Sequence, residues 1–243
     1  MATTLSDIKL VLELGEASGT RVDSIAGRNF TDINTVTQAA GKVGNAAQFT
    51  AANVESLSRD SESALLPGPA FFVNFWVYAD ANTAGVICCK DNIISREWEM
   101  DWDSGGIRYL VFDSIAGNSN APTEGLSLAT WYNICGWYNP ADKKPYMAVN
   151  DGTPIVGSAL TTGIPTNGTA AFELGNRVGF NNPLDGRIDQ FVYGQVVPSA
   201  ADITWFYNSG NGRSYAEIVT QYGASTPANR LLTRQAVKRA AFY

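Results

Sequence analysis

Residues 97–103 read EWEMDWD, and they place four carboxylates at every second position. Alternate side chains of a β-strand share a face, so this spacing predicts one acidic face formed by Glu97, Glu99, Asp101 and Asp103. Neighbours on such a face lie ~6.5–7 Å apart along the strand, and the two carboxyl groups of retaining glycosidases lie ~5–5.5 Å apart. Hydrolysis of a glycosidic bond is therefore the first chemistry that this segment suggests.

The alternative is an ordinary sheet strand that is acidic on its outer face. In that case Trp98, Met100 and Trp102 pack inward, while the acids meet water, a cross-strand cation such as Arg108, or a partner. We favour this alternative because a fold that carries acids does not by itself imply catalysis. We accordingly predict solvent-exposed acids, no catalytic residue and no enzymatic activity.

The composition excludes several other kinds of catalytic or metal site. The 243 residues contain no histidine, which removes Ser-His-Asp and Cys-His nucleophiles and His-ligated zinc. The three cysteines lie in apolar runs and are expected to be buried free thiols, although a disulfide from Cys135 to Cys88 or Cys89 stays open. The sequence contains no GxxxxGK[ST] phosphate-binding motif.

The charges are distributed unevenly along the chain. There are 17 basic and 23 acidic residues, which gives a net charge of −6. The only charged residues after Glu217 are basic, namely Arg230, Arg234, Lys238 and Arg239. An acidic body repels phosphates, so we predict no nucleic-acid partner. On a helix the first three of these bases form one stripe. We expect the tail, residues 224–243, either to dock on its own domain or to bind an acidic surface on another protein or a second copy.

The hydropathy pattern indicates neither a membrane span nor a leader. No run approaches the ~18 apolar residues of a transmembrane helix. The first residues, MATTLSDIKLVLELG, lack the basic segment followed by an apolar run that marks a secretory leader. We therefore predict no membrane partner, and we expect the protein to fold in a cytoplasm unless a leader has been removed.

Short alternating runs rich in Val, Ile, Phe, Tyr and Trp dominate the chain and predict many short strands. SGG at 104–106 and NDG at 150–152 separate such runs, so 97–113 and 144–158 are predicted hairpins. Many short strands separated by turn residues are typical of a sandwich or jelly roll.

Other local patterns predict particular roles. Residues 71–77 carry apolar side chains at both odd and even positions, with Asn74 as the exception, which indicates a central strand covered on both faces. Asp189 is expected to accept backbone N–H bonds, and Gly186 to allow close backbone approach. After the strands, two serines are each followed three residues later by an acid, and these capping boxes predict helices within 198–210 and 212–223.

Six segments then occur in a familiar order. They are GKVGNAAQF (41–49), FFVNFWVYAD (71–80), TWYNICGWYN (130–139), AVNDG (148–152), LGNRVGFNNPLDGRIDQFVYGQVV (174–197) and the DITWFYN helix with its NSGNG coil. Together they resemble the laminin-G-like, concanavalin A-like jelly-roll family, from about Leu10 to about Tyr215. The resemblance implies an all-β sandwich of two antiparallel sheets with short C-terminal helices over residues 1–223, followed by the basic tail.

The resemblance also bears on catalysis. One glycosidase family with this fold carries a Glu-x-Asp-x-x-Glu strand. Glu99 and Asp101 match the first half of that pattern, but its last acid corresponds to Ser104 in this chain. This departure removes an essential acid, and it supports the prediction that the protein is not an enzyme.

Calcium is the metal that the resemblance brings into question, because laminin-G-like relatives often hold it through loop aspartates and backbone carbonyls. The loop positions in this chain are Asp80, Asp91, Asp113 and Asp185. None has the spacing of an EF-hand, and we expect each to be a solvated surface side chain. We predict no cofactor and no metal site, with calcium as the alternative.

The resemblance and the expected compartment together predict a function. Laminin-G-like domains usually act outside cells, whereas this chain shows no export signal and no disulfide framework. A virion protein, made in the host cytoplasm and released by lysis, resolves both points. We predict a non-enzymatic structural or interaction protein of a bacteriophage particle, such as a capsid decoration, fibre or neck-associated subunit. Its partners would be other virion proteins and copies of itself.

The alternative function is an extracellular carbohydrate-binding module for cell-surface glycans, with a glycoside hydrolase as the third class. Jelly rolls commonly bind sugars on a concave face or at loop ends, through aromatic rings and polar side chains. The candidate ligand-binding residues are Asn176, Arg177, Phe180, Asn181 and Asn182. The candidate partner-docking residues are Arg230, Arg234, Lys238 and Arg239.

Overall fold

A computed structural model describes residues 3–103, 106–114, 118–121, 125–177, 179 and 182–223. Within these residues the chain forms two antiparallel sheets of eight and seven strands, stacked face to face, and two short α-helices. The predicted all-β jelly-roll sandwich is therefore confirmed. No helix among the described residues combines the length and the apolar character that crossing a bilayer requires.

Sheet A contains the longer strands of the fold. Its order is β13-β12-β11-β6-β15-β4-β3, and β1 pairs with β15 beside this path. The bounds are β1 (Ile8–Leu12), β3 (Thr37–Ala40), β4 (Asn45–Phe49), β6 (Phe71–Ala79), β11 (Trp131–Asn139), β12 (Lys144–Val149), β13 (Ile155–Val156) and β15 (Gly186–Gly194).

Sheet B carries the acidic segment near its centre. Its order is β10-β9-β8-β7-β14-β5-β2. The bounds are β2 (Thr31–Ile33), β5 (Ser56–Arg59), β7 (Gly85–Asp91), β8 (Arg96–Asp103), β9 (Gly106–Phe112), β10 (Asn118–Ala121) and β14 (Phe172–Leu174). Both predicted hairpins are present, since β8 pairs with β9 and β12 with β13 in antiparallel register.

The inner faces of the two sheets enclose a large aromatic core. Trp98 lies 5.1 Å from Phe172 between ring centroids, and Phe75 stacks 5.7 Å from Phe191. Trp98, Met100 and Trp102 all point into this core and are at most 1% exposed, as the alternation of β8 predicted. Burial of so many large rings between the layers is the main source of stability for the sandwich.

Two helices cover part of the outer face of sheet A, α1 (Ala200–Tyr207) and α2 (Tyr215–Gly223). They are shorter than the segments predicted to contain them. Phe72 of β6 packs under α1, with its ring centroid 6.0 Å from that of Phe206. The predicted capping box is present, because Ser199 Oγ accepts from the Asp202 amide and the Asp202 carboxylate accepts from the Ser199 amide. Strand β6 is thus covered on both faces, as its sequence indicated.

Three further expectations are confirmed by the packing. Asp189 accepts backbone N–H bonds from Lys42 at 2.6 Å and from Val43 at 2.8 Å. A Cβ at Gly186 would overlap the backbone carbonyl oxygen of Tyr78, so the close approach requires glycine. All three cysteines are buried and free.

The open alternative of a disulfide is not realised, because the thiols belong to different layers. Cys88 lies in the core between the sheets. Cys135 lies in the cluster beneath the helices on the outer side of sheet A. Cys89 pairs in register with Glu99 on the outer side of sheet B.

Candidate functional site

The acid row, defined as Glu97, Glu99, Asp101 and Asp103, lies on β8 between β7 and β9. The strand register places Glu99 and Asp101 on the outer face, whereas Glu97 lies at a shift in the β7–β8 register. Glu97, Glu99 and Asp101 are only 0, 3 and 3% exposed. The Asp103 side chain is 40% exposed. The prediction that the acids are solvent-exposed is therefore wrong for the first three. Each of these three carboxylates is matched by a cation, and loops lie over part of the row.

Glu97 is paired with a lysine on the neighbouring strand. Lys90 Nζ lies 3.5 Å from Glu97 Oε1, and both side chains are fully buried. The same ammonium donates to the Ala170 carbonyl at 2.7 Å and to Ser61 Oγ at 3.1 Å. A buried charge is tolerated only with such partners, since burying an isolated ammonium or carboxylate costs several kcal/mol.

Glu99 belongs to a second group of charges. The Arg177 guanidinium bonds to Glu99 and lies 3.5 Å from Asp91. Asp91 is 1% exposed and also pairs with Arg96 at 2.8 Å. Arg177 is a predicted ligand-binding residue, so the structure brings together two candidate sites that are 78 residues apart in sequence.

Asp101 is held by the cation that the sequence suggested. Arg108 Nε donates to Asp101 at 3.1 Å, and Arg108 Nη1 lies 3.5 Å from Asp103. The prediction of a cross-strand pair with Arg108 is confirmed. Glu97, Glu99 and Asp101 thus face three different cations across adjacent strands and loops.

Burial changes the proton affinity of two of these acids. It raises the pKa of Glu97 to about 7, although Lys90 and the amides of Gly168 and Ala170 act in the opposite direction. It likewise raises the pKa of Glu99 to about 7, with Arg177 opposing and the neighbouring Asp101 and Asp91 adding to the rise. A carboxyl with a raised pKa is a property of glycosidase general acids, so access decides whether this row can act on a sugar.

A loop, residues 166–170, closes one side of the row. The Thr166 amide donates to the Phe112 carbonyl at 2.9 Å, and the Thr169 amide donates to Ser95 Oγ at 2.9 Å. Between them Gly168 approaches so closely that an added Cβ would lie 3.1 Å from Glu97 Oε1. The loop backbone therefore occupies the space over Glu97 that a sugar ring would need.

The predicted ligand loop borders the other side of the row. Asn176 is buried, and its Oδ1 accepts from the amides of Arg177 at 2.8 Å and Asn182 at 3.1 Å. Its side chain thus organises the loop that delivers Arg177 to the acids. Phe180 and Asn181 lie outside the described residues. A role of this loop in ligand binding stays a prediction.

Two of the four loop aspartates differ from the surface side chains that were expected, whereas Asp80 is exposed. Asp91 and Asp113 are buried, which corrects the prediction for these two. Asp91 is bound by two arginines, and Asp113 accepts from the Thr162 amide at 2.9 Å. Asp80 is paired with Arg187. Within the described residues no three Cys, Asp or Glu side chains are grouped to hold a metal, and the arginines at Asp91 do not suit calcium.

The four basic residues predicted to dock a partner, Arg230, Arg234, Lys238 and Arg239, lie outside the described residues. Partner docking through the tail stays a prediction.

Sequence reasoning missed a second polar and aromatic surface. On the outer face of sheet A, the partly exposed side chains of Tyr78 and Trp131 contact each other beside Arg187. The outward register of Tyr78 in FFVNFWVYA could have indicated it, because Val77 is inward and its neighbour must point outward. The meeting of β6, β11 and β15 at this point could not be read from one strand.

Comparison with known protein families identifies the superfamily to which this fold belongs. The family model described as the concanavalin A-like lectin/glucanases superfamily (Laminin_G_3) matches residues 46–204. The chain belongs to this superfamily. A search of curated proteins gave no match to this lectin-like domain.

Solved structures share the fold of this lectin-like domain. The binding domain of Paraclostridial mosquitocidal protein 1 has a TM-score of 0.68 at 13% identity, covering 84% of this chain and 52% of that one. Domain 4 of AbnA, a GH43 extracellular arabinanase from Geobacillus stearothermophilus solved with arabinotriose, has a TM-score of 0.63 at 17% identity, covering 82% and 97%. The botulinum neurotoxin serotype D ligand-binding domain, solved with N-acetylneuraminic acid, has a TM-score of 0.64 at 11% identity, covering 85% and 52%.

The coverage of these structures shows how the length of this domain compares with theirs. The lectin-like domain spans about half the length of the toxin binding domains and nearly all of the arabinanase domain. At these identities the likeness concerns the fold, and function has to be argued from the site.

Proposed function

We propose that the protein is a non-enzymatic, glycan-binding module that serves on a bacteriophage particle. The observation that carries the non-enzymatic part is the state of the acid row. Its first three carboxylates, Glu97, Glu99 and Asp101, are buried and matched by Lys90, Arg177 and Arg108. A glycosidase needs one carboxyl to protonate the leaving oxygen and another to attack or activate water, both open to the sugar.

Glycan binding is supported by the fold together with the nature of its relatives. The superfamily is named for lectins as well as glucanases. One similar domain was solved with arabinotriose and another with N-acetylneuraminic acid. These ligands belong to those proteins, and they make carbohydrate the first ligand class to test here.

The test separates binding from hydrolysis. The wild-type chain is applied to a glycan array, and the best ligands are then incubated with it while new reducing ends are measured. We expect binding without release of reducing ends, and the same result for Glu99→Gln. Release that disappears in Glu99→Gln would overturn the non-enzymatic proposal, and an array without any bound glycan would overturn glycan binding.

The proposal of a phage particle is supported by the free cysteines. Three buried thiols without a disulfide suit a protein that folds in a reducing cytoplasm. We expect copies of the chain on purified particles, detected by mass spectrometry, and capsid or tail genes beside its own gene. Removing residues 226–243 should leave the domain folded and weaken attachment to particles. Absence of the chain from purified particles would contradict this part of the proposal.

A further inference from the structure

The outer face of sheet A carries a row of partly exposed side chains across four strands. In register, Trp131 of β11 lies opposite Tyr78 of β6, which lies opposite Arg187 of β15, which lies opposite Gln48 of β4. All four are half-buried, and Asp80 beside them is exposed. We call these five residues the aromatic row.

Direct contacts hold the aromatic row together. The rings of Tyr78 and Trp131 lie 5.4 Å apart between centroids at 53°, and the Arg187 guanidinium stacks 4.4 Å from the Tyr78 ring centre. Arg187 donates to Gln48 Oε1 at 2.8 Å and to Asp80 at 3.3 Å, and Gln48 Nε2 donates to Asp80 at 3.2 Å. Each side chain is therefore fixed by another, so a ligand would meet a surface that is already ordered.

The chemistry of the row matches one kind of ligand. Two half-buried aromatic rings give apolar surface, with the Tyr78 ring also stacked on the Arg187 guanidinium. An amide, a carboxylate and a guanidinium offer donors and acceptors at their edge. A pyranose or furanose ring has the same division, with C–H groups on its faces and hydroxyls around its rim. Trp, Tyr and Arg are also the residue types most enriched among those that dominate the binding energy of protein interfaces.

The charges of the row select among glycans. Arg187 is already paired with Asp80, so its charge is neutralised locally, and the chain as a whole carries −6. An acidic sugar would meet the Asp80 carboxylate and an already paired cation, in an unfavourable overall field. A neutral sugar meets hydrogen-bonding groups without repulsion.

From this geometry we infer that the aromatic row binds a neutral glycan. The inference rests on the proposed glycan-binding function and names its site and ligand class. The site lies on the opposite sheet from the acid row, so binding there is independent of the buried carboxylates.

The experiment uses the full chain on an array that pairs neutral oligosaccharides with their sialylated counterparts, followed by titration of the best neutral oligosaccharide. Trp131→Ala and Tyr78→Ala should each weaken binding by about tenfold or more, the scale of an aromatic hot spot. Arg187→Ala should weaken it by about fivefold through lost hydrogen bonds.

Arg213→Ala is the matched control. Arg213 stacks 4.7 Å from Trp205 and pairs with Glu217, and its side chain is 23% exposed against 24% for Arg187. The Arg213→Ala substitution should leave glycan binding unchanged. Melting temperatures of all variants show whether a loss reflects unfolding, and Arg187→Ala keeps the test informative should a ring variant fail to fold.

The outcomes separate the two proposals. Binding to neutral oligosaccharides that is lost in the ring variants and kept in Arg213→Ala supports the inference. Binding that persists in folded Trp131→Ala and Tyr78→Ala overturns the inference but leaves glycan binding standing. Preference for the sialylated partners overturns the neutral ligand class. An array with no bound glycan overturns the proposed function itself.

Discussion

The buried pair of Lys90 and Glu97 allows a quantitative test of how the fold tolerates its acids. Lys90→Met removes the cation and leaves the Glu97 carboxyl fully buried, with no opposite charge from the described residues within salt-bridge distance. Removing one partner of a buried pair costs ~3–5 kcal/mol. A chain of this length loses ~2–4 °C of melting temperature per kcal/mol, so we expect a fall of about 6–20 °C at pH 8.

The fall should depend on pH in a defined direction. The pKa of Glu97 is about 7 with Lys90 present, and losing the ammonium raises it further. Glu97 therefore takes up a proton at pH 6 and no longer needs a cation, so the difference from wild type is smaller at pH 6 than at pH 8.

The assay is thermal unfolding followed by circular dichroism at both pH values. The double variant Lys90→Met with Glu97→Leu should recover most of the loss, because neither charge remains buried. A residual deficit is expected from the Ala170 carbonyl, which loses its Lys90 donor. Lys143→Met, which removes an exposed lysine, is the control and should shift the melting temperature by less than about 2 °C.

Two results would refute this reasoning. One is a single variant whose melting temperature falls by no more than the control at pH 8. The other is a double variant that is as unstable as the single one, since burial of an uncompensated carboxylate would then not be the cause.

Three further predictions concern stability. Glu97 and Glu99 have a folded pKa of about 7 against an ordinary 4.5, so the folded state binds more protons than the unfolded state between these pH values. The contribution of the two acids to stability is therefore complete below pH 4.5 and is lost as pH rises through 7. Glu99→Gln should flatten the slope of melting temperature against pH. Gly186→Ala should lower the melting temperature by several degrees, because its Cβ overlaps a carbonyl of the neighbouring strand, whereas Gly125→Ala, with open space around it, should not. Asp202→Ala should lower the free energy of unfolding by about 2–3 kcal/mol in urea titrations, since the buried carboxylate both caps α1 and bonds to other buried groups; an unchanged midpoint would contradict this role.

Local patterns were sufficient to predict much of the framework. The alternation of residues 97–103 determined which face holds the tryptophans, and the serine–acid spacing located the start of α1. Gly186 and Asp189 were also correctly interpreted, because a close backbone approach and a carboxylate binding amides follow from residue type within a recognised strand. The order of six segments along the chain indicated the jelly roll, which the family match and the stacked sheets confirm.

The surroundings of each face were not predictable in this way. The acids were expected in water, yet Glu97 lies under the distant loop 166–170, and Glu99 is bound by Arg177. The aromatic row escaped notice for the same reason, since Tyr78, Trp131 and Arg187 belong to three strands far apart in sequence.

The sequence by itself determined the strands, the inward and outward faces and the superfamily, because these depend on period-two alternation, turn residues and caps within a few positions. Only the tertiary structure decided that Glu97, Glu99 and Asp101 are buried and ion-paired, while the side chains of the aromatic row stay partly exposed. Access and charge pairing depend on which distant strands and loops meet, and that is settled by packing of the whole sandwich rather than by any local pattern.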